Sequence, residues 1–122
     1  MTEIIALDHK DTIAELQRRL VTNVSESYGF GSKEIVPQIT CKDGTTLSVQ
    51  ASKSHYCSPR DNFGPWGAVE VGFPSESPTG RMLECAENPE KPTETVYGYV
   101  PILCVAEFID FHGGMTTDWE LV

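Results

Sequence analysis

The chain has no long apolar run. Its longest uninterrupted apolar stretches span four or five positions, far short of the roughly 20 that a membrane-crossing helix needs. It has four cysteines, Cys41, Cys57, Cys85 and Cys104, but no C-x-x-C pair, and no charged-then-apolar opening segment of the secretory kind. These features read as reduced thiols in a cytoplasm rather than a disulfide framework. Basic residues are scarce in the second half: positions 61–122 hold two Lys/Arg against eleven Asp/Glu, whereas positions 1–60 hold seven of each, so the formal charge of −9 falls entirely on the second half. Such a surface repels a polyanion, which argues against binding DNA or RNA along the chain. A single small anion is a different case, because two or three local cations and backbone N–H groups hold it whatever the net charge.

Catalytic signatures are missing too. Phosphate-loop, dinucleotide-fingerprint, nucleophile-elbow and zinc-deaminase patterns do not occur. His9, His55, His112 and the scattered cysteines lack standard metal spacings. His55-x-Cys57 is the one pair that invites a thiol nucleophile, since residues two apart on a strand share a face. Nucleophilic catalysis also needs a base held in place by a third group, and no flanking motif supplies one. The expectation is a protein that is not an enzyme and uses no metal and no cofactor, with a Cys57-dependent hydrolase as an alternative.

At 122 residues the chain suits one domain with one core, over 1–122. Thr12-Ile13-Ala14-Glu15 has the form of a capping box, and Ile13, Leu16, Leu20, Val21 and Val24 follow a 3.6-residue period. A helix is expected from Thr12 to Ser25, stopped by Gly29-Phe30-Gly31. Glu34–Cys41 and Thr45–Ser52 read as strands joined by a tight Lys42-Asp43-Gly44 turn, with Leu47, Val49 and Ala51 inward and Pro37 confining the first strand to an edge. A strand follows from Trp66 to Phe73, then one or two helical turns over Arg81–Ala86. Thr93–Val100 reads as a strand with Val96, Gly98 and Val100 opposite Tyr97 and Tyr99. Pro101 is expected to open a second helix whose buried stripe is Ile102, Val105, Ala106 and Ile109, with Gly113 just past its end. Hairpin-length turns without βαβ alternation predict an α+β fold, an antiparallel sheet with an amino-terminal and a carboxy-terminal helix packed on one face.

The segment from His55 to Pro74, a long polar loop feeding a strand, is where side chains are best placed to meet a partner. Ser58, Arg60 and Asn62 offer a hydroxyl, a planar cation and an amide. Trp66 and Phe73 point to opposite faces of the strand, so one can be core while the other is exposed: Phe73 reads first as core packing, and Trp66, at the loop–strand junction, reads either as core or as a stacking surface for a base. Asn88 on a later loop is a candidate for the opposite wall, with an ordinary turn role as the competing reading. Arg18 and Arg19 form the one adjacent basic pair. They read either as an anion clamp or as a solvated face on which Glu15 pairs with Arg19.

The segments HYCSPR, GPWGAVEVGFPSE and AENPEKPTETVYGYVP, with a closing helix that ends in HGG, resemble small cytoplasmic phage and prophage proteins. The likeness, over roughly Gln50 to Gly114, is to the first type of Thoeris anti-defence protein. It implies an oligomeric sponge that binds the immune signal glycocyclic ADP-ribose without cleaving it, in some members with cyclic oligonucleotides at separate pockets. By position it implies that Trp66 and Phe73 embrace the base and that Arg18 or Arg19 contacts a phosphate. Arg60 is nominated by its own chemistry. The chain departs from the family pattern in having no arginine beyond Arg81, where another cation facing the phosphates is expected.

Holding a dilute signal requires a Kd of about 10 nM, or about −11 kcal/mol. One cation and one ring do not provide that, so a homodimer or higher oligomer, up to a hexamer, is expected to close the site. The competing reading is an acidic protein-interaction inhibitor whose charge occupies a basic site on a host enzyme. Under the sponge reading, Arg60→Ala and Trp66→Ala weaken binding and leave the melting temperature nearly unchanged.

Overall fold

The computed structural model describes residues 9–25 and 36–116. Helix α1 spans Lys10–Ser25, followed by strands β1 (Ile39–Thr40), β2 (Thr46–Gln50) and β3 (Ala68–Gly72), the short helix α2 (Gly80–Glu84), strand β4 (Val96–Pro101) and helix α3 (Ile102–Phe111). The strands form one antiparallel sheet in the order β1-β2-β3-β4. This is the expected α+β architecture, with a helix at each end of the chain. The Gly29-Phe30-Gly31 stop and the start of the Glu34–Cys41 strand lie outside the described residues.

Helix α1 buries Leu16 and Leu20 and packs Ile13 against the same cluster. Val21, expected on that stripe, is exposed. The capping box does not form, because both of its side chains have other partners. Thr12 Oγ1 donates to Asp110 Oδ1 at 2.7 Å, and the Glu15 carboxylate takes the guanidinium of Arg18. His9 Nδ1 lies 2.6 Å from Asp110 Oδ2, so the start of α1 is tied to the end of α3 rather than capped by itself.

The sheet buries Leu47, Val49, Val69, Val71, Tyr97 and Val100. Pro37 shortens the first strand, so β1 begins at Ile39 and lies at the sheet edge. The Gln50 amide replaces the missing ladder there: Oε1 accepts from Val36 N and Nε2 donates to Val36 O, both at 2.9 Å. The β1–β2 turn is closed by Gly44 at φ +97°, a backbone shape that costs glycine little. In β4 the expected alternation fails, because Tyr97 and Val100 both face the core while Tyr99 is exposed. The β3–β4 register shifts between Val69 and Val71, and Tyr99 sits at φ +53°. An extra residue of this kind reverses which face the following side chains take.

Among the described residues, both sheet edges carry further backbone bonds from neighbouring segments. Glu87 N donates to Val96 O at 2.9 Å along β4, and Thr116 N donates to Thr40 O at 2.9 Å along β1. Pro101 ends β4 and α3 starts one residue later than expected. The ladder bond that Pro101 lacks is supplied by Ile102 N, which donates to Gly67 O at 2.9 Å. The expected stripe of Ile102, Val105, Ala106 and Ile109 is buried. Gly113 follows the helix at φ +96°, and Gly114 N donates back to Ile109 O at 2.9 Å, the bond that satisfies a late helical carbonyl.

Candidate functional site

The loop before β3 is held by its own hydrogen bonds. Asp61 Oδ1 accepts from Phe63 N and Gly64 N, each at 2.9 Å, which keeps its carboxyl below the usual range. Asn62 Oδ1 accepts from Lys53 N at 3.0 Å, and Cys57 Sγ donates to Ser52 O at 3.1 Å. The Cys57 thiol is thus a buried donor, a poor starting point for a nucleophile.

The sequence-nominated residues do not converge. Trp66 is 1% exposed, in the core and not at a surface. Its indole cannot stack on a ligand without leaving that core, which corrects the exposed reading. Phe73 is the exposed member of the pair, held at φ +48°, which corrects its reading as a core residue. Arg18 is paired with Glu15, which corrects the expected Glu15–Arg19 pair, and Arg19 Nη2 donates to Pro37 O at 3.2 Å. Adjacent helical residues diverge by about 100°, and these two do so here. Ser58 is exposed and joins Ala68 through backbone bonds. Asn88 is a turn residue, its Oδ1 accepting from Glu90 N at 3.2 Å. Arg60 lies 5.6 Å over the Tyr56 ring, and Tyr56 lies 6.0 Å from Tyr99. This small patch of rings and cation does not line the cavity described next.

A cavity of about 310 Å³ lies elsewhere, between α2, α3 and the connector at Ser77–Thr79. The short helix α2 presents Arg81 and Met82 to it, and α3 presents Cys104, Glu107, Phe108 and Phe111, with His112 just past the helix end. Residues spaced by three and four share a helix face, which is why 104, 108 and 111 meet one space. Phe108 lies 4.6 Å and Phe111 5.1 Å from the His112 ring, the latter edge-on.

Two electrostatic features mark the site. Among the described residues Arg81 makes no ion pair or side-chain hydrogen bond, whereas the imidazole of His112 is fixed by Nδ1, 2.7 Å from Asp43 Oδ2 and 3.0 Å from Thr45 Oγ1. Asp43 itself sits at about 2, lowered first by the Thr45 backbone N–H and then by His112. Burial, then Glu107, pushes the Cys104 thiol up against the opposing effect of Arg81, so it stays protonated at neutral pH. The arrangement therefore offers a fork of donors, flat apolar walls and an oriented imidazole, a set suited to holding an anion attached to a ring.

Sequence reasoning missed this site. In the sequence Arg81 stands out only as the last arginine, and Phe108 and Phe111 fall outside the stripe expected to be buried. The available signal was Phe111, an aromatic outside the buried stripe of α3.

No helix among the described residues is long and apolar enough to cross a membrane. No family model, no curated protein and no solved structure matches the chain.

Proposed function

We propose that this protein binds a small ring-bearing phosphate and holds it intact, as a sponge for a cyclic ADP-ribose-type signal. The observation that carries this reading is Arg81, a guanidinium that makes no ion pair among the described residues, on the wall of a cavity lined by Phe108 and Phe111. A planar cation recognises phosphate bidentately, and flat rings accept a base. The resemblance of the segments quoted above to the first type of Thoeris anti-defence protein supports glycocyclic ADP-ribose as the ligand and the cytoplasm of an infected cell as the setting.

A volume of about 310 Å³ stands at the small end of ligand sites. A cyclic ADP-ribose isomer extends past the rim, where Phe111 is 84% exposed. A second copy of the chain closes the site there, covering that ring and adding its own cations, so the protein works as a homo-oligomer.

Calorimetric titration with glycocyclic ADP-ribose tests the assignment. Arg81→Ala raises Kd at least 100-fold and Arg60→Ala leaves it within threefold. The reverse ranking moves the site to the loop at Tyr56 and Arg60. No heat with the unaltered protein, together with salt-sensitive capture of a basic host enzyme, supports the acidic-inhibitor reading instead.

A further inference from the structure

The end of α3 carries a feature that anion binding by Arg81 does not use. His112 lines the cavity, and its Nδ1 is engaged by Asp43 Oδ2 at 2.7 Å and Thr45 Oγ1 at 3.0 Å. A carboxylate only accepts hydrogen bonds, so Nδ1 is the nitrogen that carries the hydrogen. In the neutral ring this leaves Nε2 with a bare lone pair, and among the described residues nothing donates to it. The side chain is 12% exposed, and Phe108 and Phe111 flank the ring at 4.6 and 5.1 Å. The plane of the ring is set by these contacts.

An acceptor whose tautomer and plane are fixed before binding gives a ligand hydrogen a preorganised partner, which lowers the ordering cost of the bond. Glu107, on the same face of α3, adds a second acceptor to the lining. The cavity thus presents two demands of opposite polarity, an anion for Arg81 and a hydrogen donor for His112. Free phosphate lacks the ring, and an apolar aromatic acid lacks the donor.

We infer that His112 selects the ligand through Nε2 by accepting an O–H or N–H hydrogen, so that the site takes a nucleoside phosphate bearing a sugar hydroxyl or a base amine in reach of that nitrogen. His112 is a specificity-determining residue, and Asp43 with Thr45 are the positioning residues that fix its tautomer. The inference rests on the ligand class proposed above and adds which part of the ligand is read.

Three mononucleotides of the cavity's size serve as probes in calorimetric titrations. Adenosine 5′-monophosphate carries both donors, its 2′,3′-dideoxy analogue lacks the sugar hydroxyls, and purine riboside 5′-monophosphate lacks the amine. The expected result is a loss of at least tenfold with one of the two analogues, identifying the donor as hydroxyl or amine. In His112→Phe, which keeps a ring between Phe108 and Phe111, that gap closes. Asp43→Asn, which allows the hydrogen to move to Nε2, narrows the gap and keeps the imidazole in place should the first variant fail to fold. Equal affinity for all three nucleotides, or a gap that survives in a folded variant, overturns the inference and leaves the proposed ligand class standing. Absence of binding by any of the three overturns both.

Discussion

Gln17 of α1 and Trp66 of the loop are joined by two hydrogen bonds, Gln17 Nε2 donating to Trp66 O at 2.7 Å and Trp66 N donating to Gln17 Oε1 at 2.9 Å. One side-chain amide thus does for this loop what a neighbouring strand does for a β-strand. It draws Trp66 inward, where the indole is covered and Nε1 donates to Asp61 O at 3.3 Å. Gln17→Ala leaves both backbone groups without their partner, and a cost of about 1–3 kcal/mol is expected. Urea unfolding checks this, with Gln17→Glu as the variant that keeps the acceptor alone.

Trp66 itself is structural. Truncating a buried tryptophan costs about 3–5 kcal/mol, so Trp66→Ala lowers the melting temperature sharply, contrary to the expectation from sequence. A variant that melts like the parent contradicts the buried placement.

Gly64 packs on the same indole. A Cβ there meets Trp66 ring atoms at 2.6 Å, and the residue sits at φ +65°. Clash and left-handed backbone add, so Gly64→Ala destabilises by about 1–3 kcal/mol. Gly80→Ala is the control, since at a similar φ of +60° its Cβ meets nothing within 4 Å, and it costs less.

These three positions show why the loop was only partly legible. The alternation of Leu47, Val49 and Ala51 and the stripe of α3 follow from local period, and both are buried as read. The fate of Trp66 was decided by Gln17, which lies 49 residues earlier and carries no local signal. Thr12 and Asp110 likewise met across 98 residues, at the expense of a local cap. In β4 one bulge reversed a face that period-two reading had assigned. The cavity was illegible for the same reason, since Arg81 and Phe111 are adjacent only after α2 docks on α3.

The acid limb of stability is set in part by Asp43. Its carboxyl lies at about 2 in the folded protein against an ordinary 3.8, so the folded state binds the proton less readily than the unfolded one. The resulting stabilisation is complete above the ordinary value and is lost as pH falls from about 3.8 toward about 2, the direction that linkage requires. Melting temperatures recorded from pH 6 to pH 2 fall less steeply in Asp43→Asn than in the parent. Parallel curves contradict the assignment.

The thiols divide by burial. Burial, then Asp43 and Asp110, pushes Cys41 up to about 11, and both Cys41 and Cys57 are inaccessible. Iodoacetamide at pH 8 is expected to modify Cys85 and Cys104 slowly and to reach Cys41 and Cys57 only after unfolding. Rapid labelling of Cys57 in the folded protein revives the hydrolase reading.

Native mass spectrometry distinguishes the proposed capture without cleavage at the Arg81 cavity from turnover. The protein is mixed with glycocyclic ADP-ribose, weighed as an intact assembly, then heated so that the released small molecule is weighed in turn. The expected result is an oligomer carrying the nucleotide, release of that nucleotide at its original mass, and loss of the bound species in Arg81→Ala. A cleaved product, a bare monomer, or full loading of the Arg81→Ala protein contradicts it.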